Sequence, residues 1–283
     1  MKSALPPSPK PLPAGVADSH CHLDTAEDYS KLEPTDALAR AAAVNVTRLV
    51  QVGCDVKSSR WAVEAADRWD RVVASVALHP NDAARLATAG AGRPSLQAAL
   101  TQIEALLTED NPRIRGVGET GLDYFRTTDT AGRAAQAESF AAHIALAKRH
   151  EMTLVIHDRD AHAQILQVLD AEGCPDRIVM HCFSGDADFA RECLDRGAWL
   201  SFAGTVTFKP NDHLREACRM TPSDRILTET DAPFLAPMPH RGSVNASYLI
   251  PHTVRFMAGV RGENLTEFCR AIDANTSAAF GAW

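Results

Sequence analysis

Short apolar runs recur along the chain at 16–20, 46–52, 72–78, 114–119, 153–157, 177–182, 198–203 and 225–230. Two of them, Leu154-Val155-Ile156 and Ile178-Val179-Met180, are apolar without alternation, the pattern of parallel strands covered on both faces. Between the runs, apolar residues return at helical spacing. Leu96, Leu100, Ile103 and Leu107 form one such stripe, opened by Pro94 at a first helical position, and Ala137, Phe140, Ala141 and Ile144 form another within 132–150. A last helical stretch spans 263–280. Eight strands alternating with helices over residues 16–283 predict an α/β fold, a TIM (β/α)₈ barrel in a single domain, with a doubly wound open sheet as the alternative. Ahead of it, prolines at 6, 7, 9, 11 and 13 remove donors and periodicity, so residues 1–15 are expected to form a Pro-rich, disordered tail without a role.

Composition narrows the function. With 45% hydrophobic and 23% charged positions the chain can bury a sizeable core. No apolar run approaches the roughly 20 residues that span a bilayer, and the N-terminus lacks a secretory apolar segment, so a cytoplasmic protein without membrane contact is expected. Seven cysteines without a C-x-x-C pair fit reduced thiols, most of them small core residues. The net charge of −7 argues against a broad grip on nucleic acid. An anionic substrate must find positive potential locally, from bound metal ions and a few arginines or lysines.

The candidate chemistry gathers at the carboxyl ends of the predicted strands. His20 and His22 end the first; two apart on a strand, they share a side with Cα atoms roughly 6.6 Å apart, close enough for both rings to reach one ion. Glu119 lies among Gly116, Gly118 and Gly121, glycines that suggest a close approach of backbone or ligand. His157 and His181 end consecutive strands, and Glu229 and Asp231 end the eighth, where strand alternation would point both acids to one side. In a barrel these ends converge on the catalytic face. His20, His22, Glu119, His157, His181 and Asp231 then fit a two-metal site in which one carboxylate bridges ions roughly 3.5–4 Å apart. Glu119 is the candidate bridge, since no lysine occupies a strand end, and Asp231 is the candidate proton acceptor. Glu229 and His79, the latter ending the third strand, are expected to orient ligands or water. Arg241, Arg159 and Lys209 either meet phosphate oxygens or make internal salt bridges; Tyr124 and Phe183 either stack on a base or pack in the core.

These segments resemble the TatD family of metal-dependent deoxyribonucleases, within the amidohydrolase-like superfamily of barrels. The resemblance rests on DSHCHLD at 18–24, GVGETGLDY at 116–124, VIHDRDA at 155–161, HCFSG at 181–185, TFK at 207–209 and ETDAPFLAP at 229–237, then Arg241-Gly242 and Asn245. It implies a divalent-metal-dependent hydrolase of phosphodiester bonds with the six residues above as metal ligands. Asp158, where small or polar residues are usual, and Ala246-Ser247-Tyr248, where a proline is frequent, depart from the pattern. The resulting expectation is two divalent ions, with four imidazoles favouring zinc, nickel or iron and the family's nuclease activity pointing to magnesium or manganese. A monomer would use metal-activated water to cleave DNA over a small footprint, exonucleolytically on single strands or ends. Two rivals stand beside it: an amide, lactone or other ester hydrolase on the same centre, and a non-catalytic metal-binding scaffold.

Overall fold

The computed structural model describes residues 5–88 and 95–283. Its eight strands are β1 (Val16–Cys21), β2 (Val46–Val52), β3 (Val72–Val76), β4 (Ile114–Asp123), β5 (Thr153–Arg159), β6 (Ile178–Met180), β7 (Trp199–Phe202) and β8 (Ile226–Thr228). They are parallel, and each pairs with the next in chain order, with helices in the connections. This is the predicted TIM barrel. Pro94 lies outside the described residues; the helix expected there spans Leu96–Thr108, and the Ser95 hydroxyl caps it by accepting from the amide of Ala98 at 3.1 Å. Helices Thr130–Arg149 and Leu265–Phe280 match the other two stripes, the first capped by the Asp129 carboxylate on the Gly132 amide.

Alternation along the strands separates two apolar layers. Val50, Val52, Val73, Val155, Val179 and Leu227 cluster inside the barrel, and Ala279 and Phe280 of the last helix join them as its plug. Their neighbours Leu49, Val72, Ala74, Leu154, Ile156, Ile178 and Met180 belong to the layer shared with the helices. Closure between β1 and β8 is made partly by side chains. The Cys21–Ala232 bridge and the His22 amide on the Ala232 carbonyl (2.9 Å) join the backbones. Below them the Asp18 carboxylate accepts from the amide (2.9 Å) and hydroxyl (2.6 Å) of Thr230. Burial pushes the Asp18 carboxyl up to about 7 against these hydrogen bonds.

Three expectations change. β8 stops at Thr228, so Glu229 and Asp231 lie beyond the strand, and Asp231, at φ 54°, breaks the alternation. β4 continues past Glu119 to Asp123, with an irregularity between Val117 and Thr120. The proline-rich segment is extended but not loose over the described residues 5–15. Leu12 is buried, the Tyr248 hydroxyl donates to the Pro6 carbonyl at 2.5 Å, and Arg255 donates to the carbonyls of Lys10 and Pro11. Prolines remove donors and leave the carbonyls as acceptors, which is how the segment is held. Tyr248, one of the departures from the family pattern, serves this anchorage. Among the described residues no helix is long and apolar enough to cross a membrane.

Candidate metal centre

The strand ends bring the six expected ligands together at one mouth of the barrel. The glycines of β4 make this possible. A Cβ at Gly118 would lie 2.5 Å from the Val155 side chain, and one at Gly121 (φ 136°) would lie 2.1 Å from the His157 carbonyl oxygen. Only glycine lets β4 and β5 approach closely enough to set Glu119 against His157.

The donors form overlapping groups around the Glu119 carboxylate: His20, His22 and Asp231 lie close together, as do His20, Glu119 and His181, and His79, Glu119 and His157. Around Oε2 stand His20 Nε2 at 3.5 Å and His22 Nε2 at 3.9 Å. The two imidazole nitrogens are 3.3 Å apart, and Asp231 Oδ1 lies 3.9 and 3.4 Å from them. Donors about 2.0–2.2 Å from a central ion in a tetrahedron are separated by about 3.3–3.6 Å, so these atoms have the spacing of a ligand set. Around Oε1 stand His157 Nδ1 at 2.6 Å and His181 Nε2 at 3.1 Å. The carboxylate thus offers one oxygen to each group of nitrogens, the placement that a bridging role would require.

The outer ring nitrogens differ in what they meet, and His20 Nδ1 has no hydrogen-bond partner. His22 Nδ1 donates to the Val52 carbonyl at 2.9 Å, leaving Nε2 free for an ion. His181 Nδ1 lies 2.9 Å from Glu229 Oε1, an ion pair whose N–H is not aligned on the oxygen, and its Nε2 faces Glu119. His157 turns Nε2 towards Asp123 at 3.5 Å and Nδ1 towards Glu119. His79 differs. Its Nδ1 accepts the Asn81 amide at 3.1 Å, so in the neutral ring the proton sits on Nε2, 3.6 Å from Glu119 Oε1. Burial lowers the His79 ring to about 3, which keeps it neutral. It can donate to Glu119 but offers no lone pair there, which fits the orienting role expected of it.

Electrostatics agrees with a site built for cations. Burial alone would raise Glu119, yet the charge of His181 and the hydrogen bonds from His157 and His181 hold its carboxyl well below the usual range. Burial opposes protonation of His181, but Glu229 and Glu119 outweigh it and hold the ring well above its ordinary value. His157 is raised to about 9, with Asp123 and Glu119 overcoming the effect of burial. Glu229 is fully buried and also accepts the Cys182 amide at 2.9 Å.

The expected substrate contacts divide. Phe183 is buried against Phe189 and Phe202, so it is a core residue and cannot stack on a base. The Tyr124 ring is half-buried and covered by the Arg133 guanidinium, 4.2 Å from its centroid. Arg159 lines the cavity over the centre and sits 3.9 Å from the Phe125 centroid. Arg241 is exposed over the Phe208 ring, and Lys209 is exposed. Neither Arg159, Arg241 nor Lys209 forms an ion pair among the described residues, so the salt-bridge alternative finds no support. Asp158 lines the same cavity, and its carboxylate accepts the Ala161 amide and pairs with His162 Nδ1 at 2.6 Å.

Three contributors had escaped the sequence reading. Cys54 Sγ lies 3.7 Å from Glu119 Oε2 and 3.9 Å from His22 Nδ1; it follows β2 as the histidines follow their strands, and that position was the available signal. Asp123 stands four residues beyond Glu119 on the same strand, where alternation returns a side chain to the same face. Arg126 lines both cavities that open at the mouth, and nothing in its local sequence marks it.

Paired histidine and carboxylate donors at the carboxyl-end mouth of a β/α barrel are the architecture of a metal-dependent hydrolase. Comparison with known proteins makes the class specific: the chain belongs to the TatD related DNase family, whose model matches residues 17–281. It is 42% identical over 270 residues to an uncharacterized metal-dependent hydrolase, TatD, of Mycobacterium tuberculosis, covering 94% of this chain and 98% of that one. The uncharacterized metal-dependent hydrolase YcfH of Escherichia coli is 35% identical over 274 residues, covering 94% and 95%. Among solved structures, the TatD homologue YJJV of Escherichia coli superposes with a TM-score of 0.85 at 24% identity, covering 95% of this chain and 98% of that one, a likeness of fold.

Proposed function

We propose that the protein is a divalent-metal-dependent deoxyribonuclease that hydrolyses phosphodiester bonds at single-stranded or frayed DNA ends. The observation that carries this reading is the shared Glu119 carboxylate, with one oxygen in each of two donor sets. His20, His22 and Asp231 would hold one ion, His157 and His181 the other, and Glu119 both. Two divalent ions there would lower the pKa of bound water and neutralise charge on the phosphate oxygens. Magnesium, manganese and zinc are the ions to test first.

The chain's own groups do the rest. Asp231 is the more exposed carboxylate of the cluster, its side chain 16% accessible against 5% for Glu119, so it faces the substrate side and takes the proton of the attacking water. Glu229 holds His181 from behind, and Asp123 holds His157. Arg126 and Arg159, both lining cavities at the mouth, supply local positive charge for the phosphate in a chain of net charge −7. Seven free cysteines support a reducing, cytoplasmic setting for this activity.

The test uses single strands blocked at the 3′ or 5′ end, a metal series, and a parallel panel of amides and lactones. Cleavage of an unblocked strand, lost in Asp231→Asn at saturating metal, is the expected result. Turnover of amides or lactones with no cleavage of DNA favours the rival hydrolase, and near-normal turnover by Asp231→Asn removes the proposed proton acceptor.

A further inference from the structure

The exposed large apolar side chains among the described residues are Tyr29 (52% accessible), Phe125 (58%), Phe234 (41%) and Met238 (46%). All four follow the carboxyl ends of barrel strands. Tyr29 is in helix Leu23–Ser30 behind β1, Phe125 lies two residues beyond β4, and Phe234 and Met238 are in the connection behind β8. Exposed apolar surface therefore collects at the mouth that holds the donor sets. Two of the rings are braced. Tyr29 and Phe234 meet edge to face, with centroids 5.5 Å apart and planes at 80°. Phe125 carries the Arg159 guanidinium 3.9 Å from its centroid.

Phe234 is fixed in more than its ring. Its amide donates to the Asp231 carbonyl at 2.9 Å, and its own carbonyl accepts from Asn245 Nδ2 at 2.7 Å. The ring is thus held three residues from the proposed proton acceptor, and it lines the same cavity as Glu119, His157, His181 and Asp231. Arg126 lines that cavity as well, next to Phe125. β4 and β8 are four strands apart in an eight-stranded barrel, so the loops carrying Phe125-Arg126 and Phe234 face each other across the mouth.

We infer that these rings form a two-sided stacking rim for single-stranded DNA: Phe234, braced by Tyr29, takes the base on one side of the scissile phosphate, and Phe125 with Arg159 takes a base on the other. This rests on the nuclease reading and deepens it by naming the side chains that select an unpaired strand. Only unpaired bases expose faces to side-chain rings, and stacking tolerates any base. A protein-binding patch would be continuous and apolar; here single rings alternate with Arg126 and Arg159, the combination that suits bases joined by phosphates.

The experiment compares wild type, Phe234→Leu and Phe234→Tyr on a thymidine oligonucleotide and on the same strand carrying a single abasic residue on one side of the cleaved bond, each side in turn. Wild type should show a KM roughly 5- to 150-fold higher on the abasic strand, the range for one stacked base. Phe234→Leu should lose that preference on one side and keep it on the other, raising KM on the intact strand and converging with wild type on the strand abasic at the side that Phe234 holds. Phe234→Tyr should keep it, and thermal melts check that each variant folds. Equal KM values for Phe234→Leu and wild type on the intact strand overturn the inference, including the outcome in which this surface serves a protein partner. Absence of cleavage of any strand by wild type across the metal series overturns the nuclease reading, and the stacking rim with it.

Discussion

Glu229 gives the sharpest test of how the proposed centre is organised, because among the six candidate donors its carboxylate pairs with His181 alone. Its Oε1 is 2.9 Å from His181 Nδ1 and 2.9 Å from the Cys182 amide, and it is fully buried. Substituting Glu229→Gln keeps an oxygen for the Cys182 amide and removes the negative charge behind His181. At 2.9 Å and an effective dielectric near 20, the pairing of a protonated His181 with this charge is worth at most about 6 kcal/mol. The effect on a bound ion is smaller, because the ring relays the charge; loss of such supporting carboxylates typically weakens metal affinity by about 10- to 100-fold. A further cost is local: Glu229 Oε2 has no hydrogen-bond partner, and an amide nitrogen placed there is a buried donor without one, worth about 1–3 kcal/mol of stability. Titration of metal-free protein with manganese, followed by calorimetry, reads the affinity directly. The variant should show one of two sites weakened 10- to 100-fold, with activity recovering at saturating metal, unlike Asp231→Asn. Two unchanged sites would refute the claim that Glu229 acts through His181.

The other predictions concern the frame and the footprint. His143 is fully buried, accepts the Leu78 amide on Nε2 and donates from Nδ1 to the Ser139 carbonyl, and burial lowers its ring to about 4. The unfolded chain takes up this proton near pH 6.5 and the folded one only near 4, so its contribution is fully present above 6.5 and falls by about 3 kcal/mol as the pH drops to 4; urea melts of metal-free His143→Gln should lack that part of the slope. Phe280 plugs the barrel interior and is 2% accessible, so Phe280→Ala should cost about 3–5 kcal/mol in chemical denaturation while metal affinity stays unchanged. The small basic footprint predicts a log–log salt slope of about −2 to −3 for single-strand binding, as for three or four phosphates; a slope steeper than about −6 would contradict it.

Most of the barrel was legible because local signals and tertiary demands coincide along it. Unalternated apolar runs are required of strands covered on both faces, and caps such as Ser95 and Asp129 set helix starts with their own side chains. The six donors were legible for a related reason. In a closed barrel, position at a strand's carboxyl end already implies convergence, so His20, His22, Glu119, His157, His181 and Asp231 could be grouped from their places in eight runs.

What the sequence could not decide is which way a ring or a nitrogen faces. Phe183 and Phe234 both follow strands, yet the Phe183 amide bonds to Ser201 and its ring enters the Phe189–Phe202 cluster, whereas Phe234 is held at the open mouth. His79 and His181 read alike along the chain; burial and the Asn81 amide keep one neutral, whereas the Glu229 carboxylate beside the other favours its protonation. The tail's prolines announced an extended chain, and only the Tyr248 hydroxyl and Arg255 guanidinium across the fold decided that it is anchored. Sequence by itself determined the barrel and the places from which the six candidate donors converge, because periodicity and strand ends are properties of nearest neighbours along the chain. Tertiary structure decided how the donors group around Glu119, what each ring nitrogen faces and which rings stand exposed at the rim, because those depend on contacts between residues far apart in sequence.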